Sequence, residues 1–579
     1  MTPAERRSAA APGDPQPAGD ASPWWQGAVI YQLYVRSWRD SNGDGYGDLP
    51  GVIEGLDYLV WLGADGVWLS PTMPSPDDDW GYDVSDYLGV HPELGTLEDL
   101  DRLVAEAARR GMRVLLDLVP NHTSSAHPWF VEARSARDSP LRDYYVWADP
   151  APGGGPPNNW LDSTGEPAWT FDATTGQYYL HNFLETQPDL NWWEPAVHRE
   201  FEQILRFWLD RGVAGFRIDV AHGLYKDAEL RDDPPAPPGD PLHRDLLPVY
   251  SSHRPEVHAV YRRWREIAEE RKPPALLLGE TWVGTIDELA RYYGDDDELQ
   301  LAFNFRFVFA RLEAAEIGAV VDETLSKLPP GACPVWTASN HDISRFPTRW
   351  CEGEPARVRL ALTLLLTLPG TVVLYYGDEI GMADVEVPLE LQRDEMTRAG
   401  RGRRHNRDRA RTPMPWEPVP SGGFTASGVR PWLPLGDTTA LSVAAQRDDP
   451  ASTLSLTRRL LEVRRLYLAP GVAPFGWMRS GAEQLVYRCG RLVVAANLSS
   501  SPAEVGGLPA RLACSSRPDR DLAAPGPRPA SGTLVLDPWE AVVASDDVLA
   551  VSNQGSGAGT LGDLGVVARD RPGVPGRES

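Results

Sequence analysis

The sequence lacks the features that mark membrane, secreted and disulfide-stabilised proteins. It contains no run of about 18 apolar residues, so we expect no membrane-spanning helix. The first 23 residues hold no apolar stretch long enough for a signal peptide. Cysteine is scarce, with four residues in 579 and no two at metal-ligand spacing, which argues against a disulfide framework. We therefore expect the protein to be cytoplasmic.

Positive charge is also in deficit. Lysine and arginine together number 56 against 82 aspartates and glutamates, which gives a formal net charge of −26. Such a chain would repel the phosphates of nucleic acid and an anionic membrane surface, so we expect neither as a partner. A small neutral or cationic ligand is favoured instead, and the protein is expected to act as a monomer or a homodimer.

An amphipathic helix followed by a buried strand recurs between residues 28 and 380. In residues 98–111 apolar side chains repeat on one helical face up to a glycine, and the apolar run RVLLDLVP follows. The same succession occurs at residues 199–220 and again at residues 257–281. Continuously apolar strands that alternate with helices are typical of a parallel sheet covered by helices.

Eight candidate strands can be counted in this region. They lie at residues 28–37, 66–71, 113–119, 212–220, 275–281, 299–305, 334–340 and 371–377. Eight strands that alternate with helices predict an α/β protein built on a (β/α)8 TIM barrel rather than an open sheet.

Two regions interrupt or follow the barrel pattern. Residues 121–192 carry no long helical pattern, and because a structureless loop of that length is unusual, we predict an inserted subdomain there, after strand 3. Beyond residue 467, short strands such as LVVAANL predict a C-terminal antiparallel β domain, a sandwich, over residues 468–547. The remaining assignments are the barrel at 24–120 and 193–467, and disordered ends at 1–23 and 548–579.

Polar residues cluster at the predicted C-terminal ends of four barrel strands. They are Asp117, Asn121, His122, Arg217, Asp219, Glu280, His341 and Asp342. A lone acidic residue at such a position often caps the following helix. Carboxylates on four strands weaken that alternative, because the reactive residues of a barrel gather at this face. Converging carboxylates must differ in ionisation, one protonated and another kept charged, and this is the pair of states that glycoside hydrolysis needs.

Five short stretches occur in the order that is typical of one enzyme family. They are DLVPNH, QPDLNW, GFRIDV, GETW and SNHD. The region from AVIYQLYVRSW to VLYYGDEIG resembles the α-amylase superfamily, glycoside hydrolase family 13, and the resemblance extends into the C-terminal β domain. The versions QPDLNW and DDDWGYDVSDY narrow it to the oligo-1,6-glucosidase and α-glucosidase branch.

The resemblance implies roles for the strand-end residues. Asp219 matches the nucleophile, Glu280 the general acid/base, and Asp342 the carboxylate that stabilises the distorted sugar and its oxocarbenium-like transition state. Arg217 matches the residue that keeps Asp219 ionised through charge-assisted hydrogen bonds. Catalysis by two carboxylates needs no cofactor.

The resemblance also implies a closed pocket for one glucosyl unit of an oligosaccharide. Asp79 matches the residue that binds the non-reducing end, and Tyr82 the residue that stacks on the sugar ring. His122 and His341 match residues that hold sugar hydroxyls in the first subsite.

An arginine is expected to pair with the same non-reducing end. Arg411, in RDRARTPMPW, matches it, and Arg407 is the alternative. The choice stays open because Pro415 and Arg409 stand where the branch usually has glutamine and asparagine.

The loop DSNGDGYGDL, residues 40–49, begins like a calcium-binding loop. An EF-hand needs a glutamate at its twelfth position and a preceding helix, but here that position is Gly51 and a strand pattern precedes. Related α-glucosidases hold a structural Ca²⁺ in a very similar loop. The resemblance therefore implies a site made by Asp40, Asn42, Asp44, Asp48 and the Tyr46 carbonyl. The alternative is a metal-free turn held by hydrogen bonds from Asx side chains.

Three functions can be weighed. The first is a retaining, exo-acting α-glucosidase that works through a covalent glucosyl-enzyme. The second is a glucosyltransferase or isomerase on the same scaffold, in which another hydroxyl replaces water as the acceptor. The third, a non-catalytic subunit of a transporter, is disfavoured because all three carboxylates are present and no membrane span is found.

The linkage preference and the acceptor side stay open. Val220 occurs in relatives that favour α-1,6 bonds, but the flanking AHGLYKD is unlike theirs. We expect residues 183–192 and 222–254 to line the acceptor side. The insertions at 224–248 and 391–405 are either walls of the acceptor site or surface loops.

Overall fold

The fold was analysed in a computed structural model, which describes residues 22–238, 245–399, 406–509, 511–521 and 533–545. The predicted disordered ends lie outside these ranges, apart from residues 22 and 23. Strands run over β1 Val29–Leu33, β2 Gly66–Leu69, β3 Arg113–Leu118, β4 Trp147–Ala148, β5 Trp169–Asp172, β6 Gln177–Leu180, β7 Gly215–Ile218, β8 Leu276–Gly279, β9 Leu301–Ala302, β10 Val335–Trp336, β11 Thr371–Tyr375, β12 Phe475–Ser480, β13 Gln484–Cys489, β14 Leu492–Asn497, β15 Ala503–Gly506, β16 Arg511–Ser515, β17 Thr533–Leu536 and β18 Ala541–Ser545.

Helices connect and cover these strands. They run over α1 Leu49–Leu62, α2 Leu97–Arg109, α3 Pro128–Ala133, α4 Pro195–Asp210, α5 Val257–Glu269, α6 Ile286–Arg291, α7 Phe305–Val308, α8 Ala314–Lys327, α9 Phe346–Arg349, α10 Pro355–Thr367, α11 Glu395–Ala399, α12 Thr438–Leu441, α13 Val443–Arg447, α14 Thr453–Tyr467 and α15 Pro518–Asp521. Within the described ranges, no helix is both long and apolar enough to cross a bilayer.

Eight strands form one parallel sheet in the hydrogen-bonded order β10-β11-β1-β2-β3-β7-β8-β9. The order follows the chain once β1 is placed beside β11, which is the order of a sheet that closes on itself. All pairings are parallel, and helices such as α1, α2, α4, α5 and α10 connect or flank the strands. The prediction of a (β/α)8 barrel is therefore confirmed, and each of the eight candidate segments contains one strand of this sheet.

Alternate residues of the strands build a core inside the sheet. One buried cluster collects Ile30, Trp68, Leu115, Leu276, Leu278, Leu301, Val335 and Val373 from neighbouring strands. Intervening residues such as Tyr31, Val67 and Leu116 belong to a second buried cluster that includes the apolar faces of the helices. The strands read as continuously apolar because both of their faces are buried.

The strands are shorter than the apolar runs predicted. The run at 299–305, for example, is a strand only at Leu301–Ala302, and helix α7 begins at Phe305. Single backbone bonds continue past the C-terminal ends of the strands, for example from the Asp219 and Glu280 amides to the Leu118 and Ile218 carbonyls. Asp219 and Glu280 directly follow the last paired residues of β7 and β8, Asp117 and Arg217 lie within paired segments, and Asp342 lies in the loop after β10.

Smaller sheets lie outside the barrel. Between β3 and β7, strands β4, β5 and β6 form a three-stranded antiparallel sheet with its own core of Trp160, Ala168, Trp169 and Leu180. After α14, a five-stranded antiparallel sheet packs against the β15–β17 pair through residues such as Val493, Val505 and Leu536. The predicted C-terminal antiparallel sheets are confirmed, while the residue limits assigned to the three units stay predictions.

Candidate active site

The chemistry at the mouth of the barrel is organised around the Arg217 guanidinium. Arg217 lies on β7, and its side chain is buried. Its Nη1 donates to Asp219 Oδ1 at 2.6 Å and to Asp117 Oδ1 at 2.8 Å. Its Nη2 lies 2.7 Å from Glu280 Oε1. One planar cation thus holds three carboxylates that come from the adjacent strands β3, β7 and β8.

Asp342 is held by a separate pair of guanidinium groups. Arg407 Nη1 donates to Asp342 Oδ1 at 3.2 Å, and Arg411 Nη2 donates to the same oxygen at 3.0 Å. Arg407 also donates through Nη2 to Asp79 Oδ1 at 2.6 Å. Asp342 and Asp79 are therefore neighbours on one cation.

Tyr82 and His341 connect the two cationic centres. The Tyr82 hydroxyl donates to Asp117 Oδ2 at 2.9 Å and lies 2.6 Å from His341 Nε2, and the two rings stack with centroids 5.2 Å apart. Since the hydroxyl proton goes to the carboxylate, His341 Nε2 must be the donor to Tyr82. His341 Nδ1 is then an acceptor, and it receives a bond of 2.7 Å from Gln32 Nε2. Burial lowers the pKa of His341, which suits this neutral tautomer.

The carboxylates differ in ionisation because their partners differ. Burial raises the pKa of Asp219 well above its ordinary value, Arg217 opposes that rise, and the charges of Glu280 and Asp117 add to it. Burial likewise raises the pKa of Asp117, to about 6. Burial also acts to raise the pKa of Asp342, but the Arg407 and Arg411 guanidinium groups hold it below the ordinary value. Asp342 thus remains charged at pH values where Asp219 and Asp117 begin to take up protons.

Glu280 is oriented by donors other than Arg217. The Val220 amide donates to Glu280 Oε2 at 3.0 Å, and the Trp282 indole donates to Oε1 at 3.0 Å. Val220 has φ 45°, a left-handed conformation that is rare for a β-branched residue. The backbone therefore turns sharply after Asp219 and aims its amide at the neighbouring carboxylate.

The inserted subdomain contributes one wall of the pocket. Gln187, in QPDLNW, donates through Nε2 to Asp79 Oδ2 at 3.2 Å and lies 3.2 Å from His122 Nε2. His122 Nε2 lies 3.0 Å from the Tyr82 carbonyl, and its ring faces Phe183 at a centroid distance of 5.0 Å. The predicted pocket residues Asp79, Tyr82 and His122 are thus brought together by a side chain from the insertion.

A buried lysine ties the insertion to the barrel. Lys226 Nζ lies 2.6 Å from Asp189 Oδ2 and donates to Asn121 Oδ1 at 2.7 Å. Asn121 in turn contacts Asp189 and His122 through Nδ2, at 3.2 and 3.1 Å. The segment 224–248, which follows the GFRIDV motif, therefore supports the pocket wall through its described N-terminal part.

The structure brings the predicted site residues together with one reassignment. The arginine that pairs with Asp79 is Arg407, whereas Arg411 is fully buried and contacts Asp342 and the His341 carbonyl. The expectation that Arg411 meets the Asp79 end is therefore wrong in this geometry. Arg407 is the first residue of a short 3₁₀ helix, Arg407–Ala410, and its side chain reaches Asp79. Arg411 follows the last residue of this helix, and its side chain lies behind Asp342.

Several pocket residues were missed by the motif comparison. Gln187 and Trp282 lie inside QPDLNW and GETW, so the motifs themselves carried the signal. Gln32 and Asp394 lie outside those motifs. No sequence pattern pointed to them, since each acts through a contact with a residue more than ten positions away.

The loop at residues 40–48 could hold a cation. The side-chain oxygens of Asp40, Asn42, Asp44 and Asp48 all accept bonds from amides further along the loop, at 2.6 to 3.3 Å. Asp40 accepts bonds from four amides and from the Thr425 hydroxyl, which occupy its lone pairs, whereas Asn42, Asp44 and Asp48 retain free lone pairs. Carboxylate, amide and backbone carbonyl oxygens, the last supplied here by Tyr46, are the ligands that Ca²⁺ takes. The residue types are those that Ca²⁺ takes, but the observed bonds are those of a metal-free Asx turn. Within the described ranges, Asp40, Asp44 and Asp48 do not form a convergent group of metal-ligating side chains.

Comparison with known proteins identifies the family. The family described as alpha amylase, catalytic domain, matches residues 32–469. A probable alpha-glucosidase of Rhizobium meliloti (strain 1021) is 42% identical over 492 residues, which cover 80% of this chain and 88% of that relative. The chain belongs to the α-amylase family of glycoside hydrolases.

Two further relatives describe the branch. The oligo-1,6-glucosidase of Heyndrickxia coagulans is 36% identical over 485 residues, covering 77% of this chain and 85% of that relative. Among solved structures, the alpha-glucosyl transfer enzyme XgtA is 38% identical with a TM-score of 0.83, covering 90% of this chain and 99% of that one. The family assignment from DLVPNH, GFRIDV, GETW and SNHD is thus confirmed.

The Arg217 cluster predicts how activity depends on pH. A nucleophilic carboxylate must be ionised, so activity is present above its pKa and is lost as the pH falls through it. In the Arg217→Lys variant, one ammonium group replaces the guanidinium that contacts three carboxylates. Asp219 then loses part of the positive charge that stabilises its ionised form, so its pKa should rise further. We expect the acid limb of the kcat/KM profile to move upward by about one pH unit.

The matched control is Arg263→Lys, which changes a cation paired with Glu202 and Glu266 on the outer surface. Its acid limb should coincide with that of the unmodified protein. An Arg217→Lys profile whose acid limb does not move would contradict this account of Asp219.

Proposed function

We propose that this protein is a retaining, exo-acting α-glucosidase that hydrolyses terminal α-linked glucose from short oligosaccharides. The observation that carries the proposal is the bridging of Asp219 and Glu280 by one guanidinium. Bonds of 2.6 and 2.7 Å from the two Nη atoms of Arg217 keep the carboxyl groups within the span of one guanidinium. Close carboxyl pairs are the arrangement used by retaining enzymes, whereas inverting enzymes need room for an intervening water.

The reaction can be written with these residues. The Asp219 carboxylate attacks the anomeric carbon while Glu280 transfers its proton to the departing glycosidic oxygen, which leaves a covalent glucosyl-enzyme. Glu280, now a carboxylate, then removes a proton from water as the water attacks the same carbon and releases Asp219. Asp342, kept charged by Arg407 and Arg411, stabilises the positive charge that develops on the sugar in both steps.

The exo action rests on the closed end of the pocket. Asp79 is 4% exposed, and its two carboxylate oxygens are bound by Arg407 and by Gln187. A chain extended beyond the terminal glucosyl unit would have to displace these side chains. Hydroxyls of a terminal glucose can instead use the lone pairs that remain on Asp79.

The proposal predicts which anomer is formed first. NMR of the earliest sugar released from p-nitrophenyl α-glucoside should show α-glucose, because two displacements at the same carbon restore the starting configuration. Asp219→Asn should lower kcat at least about 10⁴-fold, since an amide cannot form the glycosyl ester. Asp210→Asn, at the surface end of α4, is the control and should behave like the parent. Initial release of β-glucose, or an active Asp219→Asn protein, would rule the mechanism out.

A second candidate is a glucosyltransferase or isomerase that passes the glucosyl unit to another hydroxyl. One observation favours it, namely the 38% identity to the alpha-glucosyl transfer enzyme XgtA. An aromatic wall stands beside the acid/base, where the Trp282 ring stacks on Phe305 at 4.0 Å. Such a wall can bind an acceptor and exclude water.

Product analysis separates hydrolysis from transfer. We expect glucose to account for most of the turnover of maltose, isomaltose, sucrose, trehalose, kojibiose or nigerose at low millimolar concentration, when products are resolved by chromatography. Transfer products should grow with substrate concentration, since an acceptor sugar competes with water for one intermediate. Longer or rearranged sugars that predominate even at low concentration would favour the transferase. The same panel reports the linkage preference.

We further propose that the loop at 40–48 holds a structural Ca²⁺, bound by Asp40, Asn42, Asp44, Asp48 and the Tyr46 carbonyl. The loop supports the segment that follows Arg411: Asp40 accepts a bond of 2.5 Å from the Thr425 hydroxyl and donates its amide to the Phe424 carbonyl at 2.9 Å. A bound Ca²⁺ would supply rigidity to this loop and leave the two-carboxylate chemistry unchanged.

Removal of calcium should affect stability before activity. Treatment with EGTA should lower the Tm by about 3–8 °C, and added Ca²⁺ should restore it, because a ligand that binds the folded state stabilises it. Asp44→Ala should abolish this response, whereas Asp437→Asn, which removes a charge from a helix cap elsewhere, should keep it. Purified protein without bound calcium and with an EGTA-insensitive Tm would support the metal-free turn.

The cytoplasm is the proposed site of action. The support is that none of the four cysteines, all within the described ranges, forms a disulfide, and all four are buried. Reduced thiols are typical of cytosolic proteins.

A further inference from the structure

Asp394 is a buried carboxylate with no part in the reaction written above. It lies just before helix α11, in the segment 391–405 that the sequence left as either an acceptor wall or a surface loop. Its side chain is fully buried, while that of Arg407 is 11% exposed. Asp394 therefore lies behind Arg407 and cannot itself touch a sugar in the pocket.

Most of the hydrogen bonds that the Asp394 carboxylate accepts come from Arg407. Asp394 Oδ1 accepts from Arg407 Nε at 3.1 Å and from Nη2 at 2.7 Å, and Oδ2 accepts from the Arg407 amide at 3.0 Å. Burial acts to raise the pKa of Asp394, but the Arg407 guanidinium holds it below the ordinary value. The pair is thus a buried, charge-assisted contact with both the side chain and the backbone of one arginine.

The surrounding backbone locks this contact in place. Asp408 Oδ2 accepts from the amides of Arg393 and Asp394, at 2.6 and 3.1 Å. The segment of Asp394 and the segment of Arg407 are thus bonded to each other in both directions. The Arg393 carbonyl accepts a bond of 3.0 Å from the Trp80 indole, next to Asp79. The segment around Asp394 is therefore joined to both chain segments that close the pocket.

The geometry assigns Asp394 as the positioning residue that sets the Arg407 guanidinium at the closed end of the glucosyl pocket. With Nε and one edge of Nη2 bound to Asp394, the guanidinium plane is fixed, and Nη1 and Nη2 are left to face Asp342 and Asp79. Without the Asp394 charge, Arg407 would be drawn onto its two remaining carboxylates, and Asp79 would be less available to sugar hydroxyls. This inference rests on the proposed function, since it concerns how the same pocket recognises a terminal glucosyl unit.

The test compares Asp394→Asn with the parent on two substrates, p-nitrophenyl α-glucoside and its 4-deoxy analogue. The 4-hydroxyl belongs to the non-reducing end, so the parent should prefer the full glucoside about 100-fold or more in kcat/KM. In Asp394→Asn, kcat/KM for the full glucoside should fall about 30-fold, and the preference over the deoxy analogue should fall about tenfold. The deoxy substrate should lose much less, because it does not use the misplaced groups.

Glu386→Gln is the matched control. It removes one charge from a surface carboxylate that pairs with Arg409, and it should leave both kcat/KM values and their ratio unchanged. A merely structural role for Asp394 would lower activity on both substrates equally and keep the ratio, and that result would overturn the inference.

A double-mutant cycle gives a second, independent readout. If Asp394 acts through Arg407, Asp394→Asn should have little further effect on the ratio in the Arg407→Lys background. Additive effects of the two substitutions would also overturn the inference. A parent protein that does not hydrolyse p-nitrophenyl α-glucoside would instead refute the proposed function, so the two failures are distinguishable.

Discussion

The structure of the site depends on two buried guanidinium groups that each hold three carboxylates. Arg217 binds Asp117, Asp219 and Glu280, and Arg407 binds Asp79, Asp342 and Asp394. Burying unpaired charges costs several kcal/mol each, so such a density of carboxylates is tolerable only with these pairings and their hydrogen bonds. The planar fork of arginine permits it, because one side chain presents several donors in fixed directions.

Negative charge remains in excess even with Arg411 included, and this excess suits the chemistry. A sugar that approaches an oxocarbenium ion gains positive charge in the transition state, whereas the ground-state sugar is neutral. Carboxylates held in fixed positions therefore stabilise the transition state more than the substrate, which is the condition for a higher rate. The two cationic centres also hold different carboxylates. Arg217 binds Asp219 and Glu280, whereas Arg407 binds Asp79 and Asp342.

The sequence predicted the barrel and the cluster of polar residues at its strand ends better than the side chains that surround them. Strand positions and the Asp219, Glu280 and Asp342 constellation follow from periodicity and from short motifs, because parallel strands carry their ends to one face whatever the loops do. The partner of Asp79 did not follow, since Arg407 and Arg411 are four residues apart on a short 3₁₀ segment and only the backbone path decides which one reaches it. Asp394 was beyond prediction for the same reason, because its role comes from a contact with a chain segment 13 residues later.

The strained turn at Val220 links Asp219 to Glu280, the two carboxyl groups that we propose as nucleophile and acid/base. A β-branched residue at φ 45° costs about 1–3 kcal/mol and persists only where its surroundings hold it. Those surroundings include Gly223, where any Cβ would come within 2.7 Å of Val220 Cγ1, so the close approach requires glycine. The result is an amide that points at Glu280 Oε2 from the residue that follows the nucleophile. Because that amide and Arg217 both bind Glu280, a shift of the Asp219 backbone would also displace donors that orient Glu280.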